Sequence, residues 1–272
     1  MKYVLITGAG GGMGRATVDK FLSMGYGVFA LDLYPCPARE NVIPIQADVT
    51  SEDSIIDAFK KVVAVCDGLC AIIHLAGVYA LDSLVEMSAA DFERAFRINL
   101  GGAFLIDKTF LPLLKSGDRI IIVTSELAVR QPLPFTGVYG ITKTALDKYA
   151  YSLKMELQLF GINVSVLRAG AVETGLLADS TRKLDKFIDG TKLYKVNAGK
   201  FKGIVESVEA KKIPVEKIAE KLYRIFKAKK PKFSYSINRN KLLIMLDKLP
   251  EKIRFFVIKK VLESPKEKDK QG

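Results

Sequence analysis

Between a β-branched apolar run, Lys2–Thr7, and an amphipathic stretch, Arg15–Met24, lies the segment Thr7-Gly8-Ala9-Gly10-Gly11-Gly12-Met13-Gly14. Few architectures accept so many glycines between a strand and a helix. The glycines allow a tight turn in which backbone can approach a bound pyrophosphate, and the helix that follows offers free N–H groups and a favourable dipole. The cluster therefore predicts a strand–turn–helix unit that binds a nucleotide, and Gly8, Gly12, Met13 and Gly14 become candidate cofactor contacts. The competing reading is a merely structural turn.

The rest of the chain repeats the pattern. Apolar strand candidates follow at Gly27–Leu31, Val42–Ala47, Cys70–Leu75, Arg119–Val123 and Asn163–Leu167. Helical spacing falls between them, over Glu52–Val65, Met87–Leu114 and Phe135–Phe160. Strands that are apolar throughout are buried on both faces, and intervening helices supply the crossovers of a parallel sheet. The expected fold is therefore an α/β doubly wound parallel sheet in one domain. Its expected bounds are residues 1–240, followed by a C-terminal helical extension over 241–272.

Composition narrows the function. The 272 residues are 49% hydrophobic and 26% charged, an ordinary globular balance that excludes disordered and fibrous classes. One histidine, His74, leaves no site built on several imidazoles, and no metal is expected. Cys36, Cys66 and Cys70 cannot all pair with one another, which suits a reducing, cytoplasmic setting. Apolar runs fall short of the roughly 20 residues that span a bilayer, and the chain begins directly with a strand, leaving no room for a signal peptide. Charge is uneven: net −3 over residues 1–181 and +15 over 182–272. No aromatic-and-basic stacking motif accompanies the positive third, so nucleic acid is a poor partner for it.

Two further features point to chemistry. Asp32 closes the second strand about 20 residues after the glycine turn, where a carboxylate accepts hydrogen bonds from an adenosine ribose and repels a 2′-phosphate. NAD is thus favoured, with NADP as the alternative because Arg15 and Arg39 are near in sequence. Its other reading is a helix cap or surface turn. Tyr139 and Lys143 stand four residues apart, on one helix face. A neighbouring ammonium stabilises phenolate and draws the tyrosine down from its ordinary value near 10, as acid–base work on an alcohol or ketone requires. Alone, a Tyr/Lys pair at this spacing is common.

Together, Thr7–Gly14, Asp48-Val49, His74-Leu75-Ala76-Gly77, Asn99, Ser125 and Tyr139…Lys143 resemble the short-chain dehydrogenase/reductase family, in its TGxxxGxG and YxxxK branch, over roughly residues 2–180. The resemblance implies a Rossmann fold and hydride transfer between a nicotinamide and a carbonyl carbon. It also implies residue roles: Tyr139 as proton donor or acceptor, Ser125 holding the substrate oxygen, and Lys143 binding the nicotinamide ribose. Asn99 would support a water leading from Lys143 to solvent. Asp48 and Val49 would line the adenine pocket, Ala76 and Gly77 would pass the adenosine ribose, and Val172 and Thr174 would meet the carboxamide end. Two departures stand out. His74-Leu75 replaces the usual Asn-Asn, which makes His74 a structural residue, and Ala169 replaces the proline that commonly precedes Gly170.

By the same resemblance residues 176–212 form the substrate lid, and Leu176, Leu177, Phe187, Leu193, Tyr194 and Phe201 suit a lipophilic, steroid- or retinoid-like alcohol or ketone. The extension is similar to those of hydroxysteroid and retinol dehydrogenases. Its interleaved lysines and apolar residues suit peripheral contact with an anionic membrane, while a subunit contact or a plain cap on the domain are competing readings. The long helices imply a homodimer or homotetramer. A 3-oxoacyl or polyol substrate, or a non-catalytic NAD(H)-sensing scaffold, are the alternatives. A scaffold would be expected to lack Tyr139 or Lys143.

Overall fold

A computed structural model describes residues 1–174 and 184–263. Seven strands form one sheet in the order β3-β2-β1-β4-β5-β6-β7, every neighbouring pair parallel. They are β1 Tyr3–Thr7, β2 Gly27–Asp32, β3 Val42–Gln46, β4 Ala71–His74, β5 Arg119–Ser125, β6 Asn163–Ala169 and β7 Ser234–Ile237. The helices are α1 Gly12–Ser23, α2 Glu52–Val63, α3 Ala89–Phe96, α4 Gly102–Phe110, α5 Gly137–Leu157, α6 Lys195–Glu209, α7 Val215–Lys227, α8 Lys241–Asp247 and α9 Glu251–Leu262.

Alternation along each strand builds a core on both faces of the sheet. Leu5, Phe29, Leu31 and Ile72 point to one side, where α2, α4 and α5 bring Ile55, Val62, Ile106, Phe110, Leu146 and Ala150. Val4, Ile6, Val28, Ala30 and Ile73 point to the other, against Val18 and Phe21 of α1 and Ile218, Leu222 and Ile225 of α7. Arg119, opening β5, donates from Nη1 to Ile225 O at 3.3 Å and from Nη2 to Ala228 O at 2.6 Å, capping α7. This is a doubly wound α/β fold. Strand order reverses between β1 and β4, and the crevice at that reversal is where such sheets take ligands.

Four local readings change. The stretch Met87–Leu114 is not one helix. Arg97–Gly101 is a π-helical turn between α3 and α4, and Leu111–Leu113 with its proline closes as a 3-10 turn. An extra residue in the turn re-aims the side chains it carries, Asn99 among them. The helix expected from Phe135 begins at Gly137, because Phe135 has a left-handed φ of 64°. Where the lid sequence showed only a polar stretch without a clear strand, residues 184–190 and α6 are helical. Ser125, expected on a loop, is the last residue of β5, and its hydroxyl accepts from Leu127 N–H. Leu176 and Leu177, and the tail from residue 264, lie outside the described residues.

A third apolar cluster holds the lid. Phe135 meets Phe187, Tyr194 and Phe201 with ring centroids 5.0, 5.2 and 5.4 Å apart. Leu81, Leu184, Ala198 and Leu262 of α9 complete it. Glu86 adds a polar clasp, accepting from Thr191 Oγ1 at 2.5 Å and from Lys192 N–H at 2.8 Å just before α6. Those bonds hold its carboxyl below the ordinary range.

Candidate active site

The glycine turn leaves β1 with Gly8 at φ 67°. A Cβ there would sit 2.6 Å from Ala76 N, and one on Gly14 would sit 2.0 Å from Gly8 O, so backbone packs on backbone at both points. Among the described residues no side chain caps the start of α1, so its first N–H groups remain for an anion. Asp32 reaches into the turn. Its Oδ2 accepts from Gly10 N–H at 2.8 Å and its Oδ1 from Tyr34 N–H at 2.9 Å. Arg15 Nε donates to Gly10 O at 2.7 Å, while Arg39 pairs with Asp19. A turn of close-packed backbone, an uncapped helix start and a carboxylate at the end of β2 fit a dinucleotide.

Asp48 and Val49 follow β3. The Asp48 carboxylate accepts from Thr50 N–H and Oγ1, both at 2.8 Å, which fixes the turn into α2. Val49 lies over Gly102, where a Cβ would come within 2.8 Å of its Cγ2. Ala76 N–H donates to Thr7 Oγ1 at 3.2 Å, tying the end of β4 to that of β1.

Across the switch point opens a cleft of about 1160 Å³, part of it open to solvent. Met13 and Gly77 line its cofactor side, together with Val172 and Thr174. Ser125, Tyr139 and Lys143 line its floor, and Leu133, Phe201, Ile204, Val205, Val208 and Leu243 its apolar walls. Three elements thus bring the predicted set together: the end of β5, the first turns of α5 and the π turn. Asn99, 2% exposed, stands behind them. Its Oδ1 accepts from Val78 N–H at 2.8 Å, and its Nδ2 donates to Val78 O and Thr142 Oγ1, each at 3.0 Å. A Cβ on Gly77 would lie 3.0 Å from Asn99 Oδ1 and 3.3 Å from Lys143 Nζ, so Gly77 gives both groups their room.

The expected lowering of the Tyr139 pKa is outweighed by burial. Burial pushes the phenol up to about 12, with a Ser125 hydrogen bond pulling the other way, and burial draws the Lys143 ammonium down to about 8. The cation sits 5.8 Å from the Tyr139 ring centroid, and its Nζ is 3.5 Å from Val123 O. Loss of water sets both shifts. Tyr79 packs edge-on to Tyr139 at 4.4 Å between centroids, adding to that dryness.

His74 has a packing role. It is 5% exposed, and its Nε2 lies 2.8 Å from Asp107 Oδ1, whose other oxygen accepts from Tyr149 Oη at 2.8 Å. This joins β4, α4 and α5 beneath the site.

Several cavity residues escaped the sequence. Glu126, next to Ser125, is 5% exposed and lines the cleft, and its Oε2 accepts from Asn240 N–H at 2.9 Å. Arg130 lies 3.6 Å from the same carboxylate and donates from Nη1 to Asp247 Oδ2 at 2.6 Å. Adjacency to Ser125 was the one available signal for Glu126. None pointed to Leu243, which arrives from more than 100 residues away.

Known proteins bear on this geometry. The family profile for short chain dehydrogenases matches residues 2–185. Mouse estradiol 17-beta-dehydrogenase 2 is 30% identical over 203 residues, 69% of this chain, which spans about half (53%) of that protein. The NADPH-dependent 3-dehydrocapnine reductase of Ornithobacterium rhinotracheale is 25% identical over 97% of this chain and 99% of its own. A solved short chain dehydrogenase family protein from Francisella tularensis superposes with a TM-score of 0.75 at 21% identity, covering 87% of this chain and 97% of that one. With the profile covering most of its length, the chain belongs to the short-chain dehydrogenase family.

Proposed function

We propose that the chain is a nicotinamide-dependent oxidoreductase that interconverts a secondary alcohol and a ketone on a lipophilic substrate. The observation that carries this is the meeting of Ser125, Tyr139 and Lys143 on the floor of one largely apolar cleft, flush with Met13 and Thr174 of the cofactor side. A bound nicotinamide supplies the two-electron chemistry. The protein handles the proton. With its pKa raised to about 12, Tyr139 holds its proton at neutral pH and donates it to a carbonyl oxygen. Ser125 steadies that oxygen. Its Oγ accepts from Leu127 N–H at 3.1 Å, and its hydroxyl is hydrogen-bonded to Tyr139. Lys143, charged below about pH 8, stabilises the phenolate left by proton donation. Asn99 holds the Val78 backbone beside them.

Asp32 favours NAD over NADP. Its carboxylate faces the turn, and Arg15 and Arg39, the cations that could offset it, are engaged by Gly10 O and Asp19. The apolar walls favour a bulky substrate of steroid or retinoid type over a polyol. The test is turnover of apolar and polar ketones with NADH and with NADPH, on wild type and Tyr139→Phe. We expect a loss of about 10²–10⁴-fold in kcat with dinucleotide affinity unchanged. Full activity in Tyr139→Phe would refute the mechanism. Dinucleotide binding with no turnover across a broad panel would leave the sensing scaffold as the better reading.

Self-association and membrane contact complete the proposal. Phe92, Phe104, Tyr151 and Met155 are exposed on α3, α4 and α5, which suits a homodimer or homotetramer; a monomeric mass by light scattering would exclude both. Among the described residues no helix is long and apolar enough to cross a membrane. Ile253 and Phe256 are exposed on α9 beside Lys252 and Lys260, a pattern that suits peripheral binding to an anionic surface. Failure to float with anionic vesicles at low salt would exclude it.

A further inference from the structure

The apolar cleft does not end at its apolar wall. A second chamber adjoins it, sharing Glu126, Ala171 and Val208 as a common border, and its outer rim is built from Lys211, Arg239 and Lys241. Two connections set this rim. Asn238, at a left-handed φ of 52°, donates from Nδ2 to Ala171 O at 2.8 Å and to Lys211 O at 2.9 Å, which pins the turn after β7 to the segment before α7. Gly170 lets that turn approach, since a Cβ there would lie 1.9 Å from Asn238 O. Arg239 and Lys241 thereby line the chamber together with Lys211, all three exposed.

The charge balance favours an anion. Among the described residues Glu126 is the one carboxylate on the border, and it is already satisfied by Asn240 N–H, with Arg130 at 3.6 Å. Burial pushes its carboxyl up, against the pull of Arg130 and Arg239. Asp247 is taken by Arg130. Lys211, Arg239 and Lys241 form no ion pair among the described residues, whereas the neighbouring Lys212 is matched by Glu173 at 3.0 Å. Three exposed cations without an ion pair among the described residues give this end of the apolar cleft a positive field that attracts an anionic group.

We infer that this chamber is a substrate subsite for an anionic group, so that the substrate is an amphiphile. Its carbonyl lies at Ser125 and Tyr139, its apolar body against Phe201, Val205, Val208 and Leu243, and a phosphate, sulfonate or carboxylate at its far end meets the basic rim. The inference rests on the oxidoreductase reading for the placement of the carbonyl, but the subsite is testable without turnover.

The binding experiment titrates full-length protein, saturated with NADH, with a long-chain alkyl sulfonate below its micelle concentration. The matched alkyl alcohol and inorganic phosphate serve as separate arms. Wild type is compared with the Lys211→Gln/Arg239→Gln/Lys241→Gln variant. The expected result is sulfonate binding at least tenfold tighter than the alcohol, weakened by salt, and reduced to the affinity of the alcohol in the variant. NADH affinity should be the same in both proteins. Equal affinity for sulfonate and alcohol in wild type, or an unchanged sulfonate preference in the variant, would overturn the inference. Tight binding of inorganic phosphate with no gain from the alkyl chain would overturn it too, by showing a free-anion site instead. The kinetic counterpart uses matched ketones ending in methyl or sulfonate. The variant should lose the preference for the charged ketone while turning over the neutral one at the wild-type rate. Absence of turnover with both, alongside retained sulfonate binding, would fault the catalytic reading and not the subsite.

Discussion

The two sides of the cleft are built by different means. On the cofactor side, consecutive residues do the work: Gly8 to Gly14 leave one strand, turn and enter one helix, and the closest contacts are backbone on backbone. On the substrate side nothing is consecutive. Phe135 is covered by Phe187 and Phe201, Glu86 clasps Thr191, and Arg130 reaches Asp247. The first side has almost no freedom to vary, and the second varies by exchanging side chains. A fold can therefore keep its cofactor while changing what it acts on.

That contrast can be broken at several points. The largest effect is expected on the rigid side. Gly14→Ala drives a methyl into Gly8 O and should cost about 3 kcal/mol, read as a fall in unfolding midpoint together with lost dinucleotide binding. Unaltered stability would show that the turn yields.

Lys143→Met tests the floor between the two sides. The wild-type ammonium is buried, and its folded value of about 8 lies below the unfolded one near 10.5. The folded state therefore binds fewer protons than the unfolded state between those values, and wild-type stability rises with pH across that window. The variant lacks this term. It should be more stable than wild type by about 3 kcal/mol at pH 7, an advantage that disappears as pH approaches 10.5. A difference independent of pH would mean that the ammonium is not desolvated.

On the adaptable side, Asp247→Leu leaves Arg130 buried with its weaker Glu126 contact alone; among the described residues its Nε and Nη2 already lack hydrogen-bond partners. Because Asp247 is about a quarter exposed, a loss of about 2 kcal/mol is expected, with KM rising more than kcat falls as Leu243 shifts. An unchanged KM would separate α8 from the substrate. The smallest effect has the opposite sign. Gly203 is an exposed position within α6, and a Cβ there would meet nothing within 4 Å, so Gly203→Ala should stabilise by about 1 kcal/mol through helix propensity. Destabilisation there would mean that the lid helix is held as tightly as the glycine turn.

The same contrast explains what is legible in the sequence. The glycine turn and Asp32 stand out because each sits at a fixed offset from an element whose periodicity is plain, and Tyr139 and Lys143 because their spacing puts them on one helix face, whereas Asn99 and Ser125 are legible only through the family resemblance. The parallel sheet stands out because its strands are apolar throughout. The π turn at Arg97–Gly101 is hidden, since an inserted residue inside a helical pattern leaves hydrophobic spacing nearly intact. Phe135 carries no warning, because a left-handed φ is expected at glycine or asparagine and is tolerated here through tertiary packing. The helical lid is obscured by its lysines. Glu126, Arg130 and Leu243 are hidden for a simpler reason: their partners lie far along the chain. The raised Tyr139 pKa and the lowered Lys143 pKa follow from burial, which spacing does not report.

Phe135 has a consequence for how such a protein could be altered. It stands four residues before Tyr139, in a backbone state that a phenylalanine holds only because Phe187, Tyr194 and Phe201 surround it. A transplanted lid lacking those rings would leave an aromatic side chain in open water and an unsupported turn directly ahead of α5. The lid and residue 135 are thus one inherited unit, to be exchanged together or not at all.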